Sequence, residues 1–220
     1  MTITTDTETE KRGWTQNPDA VKRDILSVAI SEFAANGLSG TRVDTIASRT
    51  RTSKRMIYYY FGDKQGLYIK ALEEAYRVLR EGEAALDLDD LPPREALAKL
   101  VAFTFDHHRR NPDFIRIVMI ENIHHADHLA QSEVARAMDV PALGKLAEVC
   151  RRGQEAGVFR PGLDPVALHW QVCALSVFNV SNRPTFSTIF GTALFEEAAQ
   201  ERLRAQLVEM ILALVEQPHP

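Results

Sequence analysis

Apolar residues recur at helical spacing along most of this chain, and no alternating run is bounded by hairpin turn residues. Asn17-Pro18-Asp19 joins a capping residue to a proline at the first helical position. Ile25, Val28, Ala29 and Phe33 follow on one face, and Asn36-Gly37 predicts a left-handed C-cap. Thr41 then caps a short second helix, with Asp44 reaching back to it and Val43, Ile46 and Ala47 inward. Arg51 and Thr52 form a turn. Ser53 caps a third helix whose Ile57 and Phe61 point in. Asp63 caps a fourth that runs through Leu67, Ala71, Ala75 and Val78 to about Glu83. A rod of some 20 residues spans about 30 Å. The stretch DLDDLPP from Asp87 to Pro93 is a loop.

The rest predicts helices only. Glu95 to Arg110 carries Leu97, Leu100, Val101, Phe103 and Phe105, and Asn111-Pro112-Asp113 starts another helix with Phe114, Ile117 and Val118. A polar helix near Ser132 to Met138 precedes one from Val140 to Ala156, closed by Gly157. Asp164-Pro165 opens an apolar helix through Leu168, Trp170, Leu175 and Phe178, which Asn182-Arg183-Pro184 breaks. The last helix starts near Thr192 and ends near Val215.

Composition adds where the charge lies. The 220 residues are 45% hydrophobic, enough for a substantial core, and carry a net charge of −4. From Lys11 to Lys70 there are eleven Lys and Arg against five Asp and Glu; from Ala71 onward there are fifteen against twenty-two. Cations therefore gather around the short helices, while the remainder, at −7, is not drawn to nucleic acid. No apolar run reaches the roughly 18 residues of a membrane span. The N-terminus has no apolar signal core, and Cys150 and Cys173 stand in no metal-ligand spacing. Both read as reduced core residues of a cytoplasmic protein without a cofactor. Residues 1–16 are polar and aperiodic, which predicts a disordered arm.

The third helix leaves Lys54, Arg55, Tyr58 and Tyr59 on its outer face. A two-turn helix of this kind suits a DNA major groove, although a solvated surface helix has the same pattern. The flanks favour DNA. Tyr58-Tyr59-Tyr60-Phe61-Gly62-Asp63-Lys64-Gln65-Gly66-Leu67-Tyr68 resembles the helix-turn-helix signature of the TetR family of bacterial transcriptional regulators, and the likeness extends back over Gly37 and Thr41. It covers about the first third of the chain. Gly66 departs from the acidic residue expected there.

The resemblance implies an all-α fold: a three-helix helix-turn-helix DNA-binding domain (17–62), joined by a long helix to a helical ligand-binding and dimerisation domain (63–220). By position, Thr41 and Arg42 would meet phosphates; Ser53, Lys54, Arg55 and Tyr58, with Thr52 beside them, would enter the groove; Tyr59, Tyr60 and Lys64 would hold the backbone. It also implies a homodimer, through the last helix and the Val140–Ala156 helix, on a palindromic operator in double-stranded DNA. Phe103, His107, Phe114, Arg116, Met119, Asn122, Trp170, Phe178 and Asn179 are the set expected to converge on a small-molecule effector. The expected function is a repressor released by that effector. Two rivals remain at this level: a metal-dependent hydrolase using His124 and His128, spaced i, i+4, and a nonspecific architectural DNA binder. No nucleophile or acid/base motif accompanies the histidines.

Overall fold

The computed structural model describes residues 17–216, except for the side chains of residues 135, 136 and 138–142. The expected N-terminal arm lies outside the described residues. Ten α-helices follow one another among the described residues: α1 (Pro18–Gly40), α2 (Val43–Arg49), α3 (Lys54–Phe61), α4 (Lys64–Ala84), α5 (Pro93–Arg110), α6 (Pro112–Ile123), α7 (Glu133–Glu155), α8 (Pro165–Ser181), α9 (Arg183–Phe190) and α10 (Glu197–Val215). The single strand-like pairing among the described residues is a bridge between Phe159 and Glu216.

Local chemistry sets the helix starts. Asn17, Ser53, Asp63 and Asp164 each accept a backbone N–H from the first turn they precede, as expected. Thr41 does not. The N-cap of α2 is Arg42, which makes no side-chain cap, and Asp44 pairs with Lys54 at 2.9 Å instead. The reason lies in α1, which kinks at Gly37 (φ 67°, ψ 177°). The kink strands carbonyls in the last turn, and these need donors. The Thr41 hydroxyl donates to the carbonyls of Gly37 (2.7 Å) and Glu32 (3.0 Å), so this residue is buried. Gly66 also has a local cause: a Cβ there would stand 2.3 Å from the Phe61 carbonyl oxygen, which leaves no room for the expected acidic side chain.

Two cores organise the packing. The first takes Ile25, Ala29 and Phe33 of α1, Ile46 of α2, Ile57 of α3, Leu67 to Leu79 of α4, and Phe114, Ile115 and Ile117 of α6. The second joins α5, α7, α8 and α10 through Leu97, Val101, Leu146, Cys150, Val172, Leu207 and Ile211. Helix α1 packs along both α4 and α6, while α5 packs against α8 and α10. Helix α4 is stiffened by Lys70–Glu73 and Arg77–Glu74 pairs, each at 2.6 Å, and by Arg77–Glu81.

Three expectations about the second half are corrected. The helices expected at Ser132–Met138 and Val140–Ala156 are one, α7; the proline at 141 deletes a single intrahelical donor, and the neighbouring turns keep theirs. Asn182-Arg183-Pro184 ends α8 but also starts α9, because a proline in the first turn is as much a start as a stop. The last helix accordingly begins at Glu197, after a 3₁₀ turn at Ala193–Phe195. His124 and His128 do not share a helical face. Helix α6 ends at Ile123, and His125 and Ala126 take left-handed φ values of 57° and 61°. The buried Glu121 carboxylate then accepts the N–H groups of His128 and Leu129, both at 2.8 Å, and faces His128 Nδ1 at 3.2 Å.

Gly37→Ala should lower unfolding free energy by about 1–3 kcal/mol, because that backbone region is open essentially to glycine alone. Gly144→Ala, within α7 and with nothing near its Cβ position, should raise it by about 0.4–1 kcal/mol. Urea midpoints at a fixed protein concentration measure both.

Candidate nucleic-acid interface and effector cavity

Helix α3 is anchored by Ile57, which has no exposed surface, and by the partly buried Tyr60 and Phe61 packed on the first core. Lys54, Arg55, Tyr58 and Tyr59 therefore stand outward together, with Tyr59 77% exposed. Arg42 and Ser53 flank them in solvent, and Thr52 is half-buried in the turn. Tyr60 turns partly inward, with Lys22 of α1 5.6 Å from its ring centroid. Lys54 is engaged: its hydrogen bond to Asp44 holds its ammonium pKa above the usual lysine value. Arg55 has no ion pair or hydrogen bond among the described residues. The Lys64 ammonium, in the first turn of α4, donates to the carbonyls of Thr41 (3.3 Å) and Ser39 (3.4 Å), and retains a third N–H. Thr41 faces inward and cannot present its hydroxyl to a phosphate while it holds the end of α1.

The expected effector residues do not converge. A cavity of about 280 Å³ lies between α4, α5, α6 and α8; of the expected set it takes only Phe114, Met119 and Asn122. Phe103 packs over Gly82 and against His107. His107 instead borders a cleft between α1, α4 and the α5–α6 turn. Arg116 and Asn179 line a separate groove beside α9. Trp170 and Phe178 are 70% and 55% exposed. They lie on the outer side of α8, whose nearly all-apolar sequence does not reveal which face turns in.

The cavity is polar where the expectation did not look. His108 is 2% exposed and bonds Ser176 Oγ through Nδ1 at 2.9 Å. The Ser176 hydroxyl donates its one hydrogen to the Val172 carbonyl at 2.8 Å. Nδ1 must then be the donor, which leaves Nε2 of this cavity-lining ring as a bare acceptor. Burial, helped by the neighbouring His107, His169 and Arg80, lowers the His108 pKa to about 3. Arg80 and Glu83 form a 2.6 Å ion pair on the same wall, so it is charge-balanced. The spacing was legible: Thr104 and His108 continue the inward stripe of Leu97, Val101 and Phe105.

A third surface is apolar. Val166, Trp170, Leu175 and Phe178 of α8 stand exposed, as do Met210 and Leu214 of α10. The second half of α7, expected on a dimer face, spends Leu146 and Cys150 inside the second core.

An exposed cationic and aromatic helix mounted on the inward faces of α1 and α2, above a helical body with its own cavity, defines a helix-turn-helix DNA-binding regulator. The family model for bacterial regulatory proteins of the tetR family matches residues 25–71, and that for the tetracycline-repressor-like C-terminal domain matches residues 93–211. The chain belongs to the TetR family of transcriptional regulators. The HTH-type transcriptional repressor NicS of Pseudomonas putida is 35% identical over 185 residues, which cover 84% of this chain and 87% of that one. The HTH-type transcriptional regulator RutR of Escherichia coli is 26% identical over 179 residues, covering 81% and 82%. A solved tetR-family regulatory protein from Rhodococcus RHA1 shares the fold with a TM-score of 0.69 at 20% identity, covering 90% of this chain and 98% of that one. Among the described residues no helix is long and apolar enough to cross a membrane.

His108 gives a pH signature. Folded, it binds its proton only near pH 3; unfolded, near 6.5. Between these values the unfolded state holds more protons, so stability is lost as the pH is lowered from 6.5 towards 3, by up to about 1.4 kcal/mol per unit. His108→Gln should flatten the stability-against-pH curve between pH 6 and 4 relative to the parent, read from urea unfolding across that range. Parallel curves would mean that the ring is not buried neutral.

Proposed function

We propose that the protein is a cytoplasmic repressor that binds a palindromic operator as a homodimer and leaves it when a small molecule enters the α4–α5–α6–α8 cavity. One observation carries this reading: α4 walls the cavity with Tyr76, Leu79, Arg80 and Glu83, while its first residue, Lys64, touches the turn that supports the recognition helix. A ligand that favours a different tilt of α4 would change the spacing of two recognition helices, which must lie about 34 Å apart to occupy both half-sites. Coupling of this kind is typically worth about 1–3 kcal/mol. The charge-balanced wall and the bare Nε2 acceptor suit a compact effector that brings an N–H or O–H donor.

The second subunit is placed on the exposed apolar face of α8 and α10. Water contact there is costly, and burial gains about 25 cal/mol per Å². The DNA contacts are assigned to Arg42, Ser53, Arg55, Tyr58 and Tyr59, with Lys54 and Lys64 beside them. Arg55 is the reader of a guanine edge, because Lys54 would first have to leave Asp44. The repressor label on the NicS relative agrees with this direction of control.

Arg55→Ala should relax preference at one symmetric pair of operator positions, at about 1–3 kcal/mol each. Lys64→Ala should weaken all sequences alike and flatten the salt slope by about one unit. Met210→Asp should yield monomers in sedimentation and abolish tight operator binding. Selection from random DNA followed by anisotropy titrations at several salt concentrations tests the first two. Recovery of no inverted repeat would instead identify a nonspecific architectural binder.

A further inference from the structure

Arg116 and Asn179 meet in a cleft of about 570 Å³, larger than the effector cavity and separate from it. Its walls come from the end of α5, the start of α6, the α8–α9 turn and the start of α10. Three guanidinium groups line it: Arg109, Arg116 and Arg183. The one carboxylate among the lining residues is Glu197, which holds Arg109 in a two-point pair at 2.6 and 2.9 Å. Arg116 has no ion pair or hydrogen bond among the described residues. Arg183 lies over the Phe195 ring at 5.4 Å and has no carboxylate partner there. The Arg109 Nε–H is buried without an acceptor among the described residues. Asn179 and Gln200 bond each other at 2.7 and 3.1 Å and give the cleft a fixed floor.

This arrangement runs against the local charge. Residues 71–220 carry a surplus of seven acidic groups, yet this cleft has a surplus of two positive ones. Like charges gathered in one cleft repel unless an anion joins them, although water partly screens Arg116 and Arg183, which are both exposed. Guanidinium forks match the oxygen pairs of carboxylate and phosphate in particular. Glu197 already shows the geometry, since it offers Arg109 two oxygens, and its side chain is 69% exposed, so it can swing out to water. We propose that the cleft is a binding site for a small doubly charged oxyanion, a phosphate monoester or a dicarboxylate, that bridges Arg116 and Arg183 and displaces Glu197 from Arg109.

Calorimetric titration of the full chain with inorganic phosphate, and separately with succinate, tests this at constant ionic strength set with sodium chloride. Saturable binding at one site per chain is expected, and the tighter probe tells which oxyanion class the cleft takes. Arg116→Gln combined with Arg183→Gln should weaken it by about tenfold or more, through loss of charge-assisted bonds. Glu197→Gln should tighten it, because the competing carboxylate is gone. Arg94→Gln, whose arginine pairs with Glu216 outside the cleft, should leave it unchanged. Failure of both probes to saturate would overturn the proposal. So would full affinity in a double variant with parental circular dichroism and melting, or weaker binding after Glu197→Gln.

Discussion

Tyr68 has no exposed surface, and its ring is held on two sides. Phe33 of α1 meets it edge-on at 5.0 Å, and His128 of the α6–α7 loop meets it at 5.1 Å. Burial, reinforced by the nearby Glu121 carboxylate, pushes the phenol pKa upward, so the ring stays neutral. Each aromatic contact is worth about 0.5–1.5 kcal/mol beyond its area. Their placement matters more than their sum, because two segments distant in sequence, α1 and the α6–α7 loop, are positioned against one side chain of α4. Helix α4 cannot turn while both contacts persist. A close-packed junction of this sort has alternative seatings, and a shift between them is a discrete step.

The two working ends of α4 follow from that junction. Towards its start, Lys64 and the Gly66 approach to Phe61 fix the recognition unit. Towards its end, Arg80 and Glu83 face the cavity together with His108 and Asn122. Between them the chain spends its polar groups carefully. Buried Glu73 takes Ser132 at 2.7 Å, and buried Glu121 takes two backbone N–H groups and His128, so the loop after α6 is tied to α4 through Glu73 and back to α6 through Glu121. These are interactions whose loss leaves a buried carboxylate unpaired, which makes them stiff.

What was legible in the chain is what acts over short range. The caps at Asn17, Ser53, Asp63 and Asp164 work within three residues, and each is seen. The outward face of α3 follows from one inward residue, Ile57. Thr41 was misjudged because its partners depend on a kink several residues earlier, at Gly37. Trp170 and Phe178 were misplaced for another reason. Helix α8 is apolar nearly all round, so its periodicity does not distinguish the inner face of Leu168, Val172 and Ser176 from the outer one. Convergence on a cavity is a tertiary property. His108 stands on the inward stripe of α5, but its neighbours His107, Arg109 and Arg110 make the end of that helix look like a solvated tail, so the stripe was not followed that far.

The first core is not confined to the recognition helices, since Ile115 and Ile117 of α6 complete it together with α1 and α4. This has a consequence for inheritance. A segment cut at the helix-turn-helix boundary would carry away only part of its own interior, with an apolar flank where α6 had been. Recombination between related genes would therefore succeed when it moves α1 together with the face of α6 that it packs on, or when the recipient supplies an equivalent face. The unit on which selection acts is larger than the motif that touches DNA, and α6 carries a dual constraint: it must line the cavity and also complete the core beneath α1.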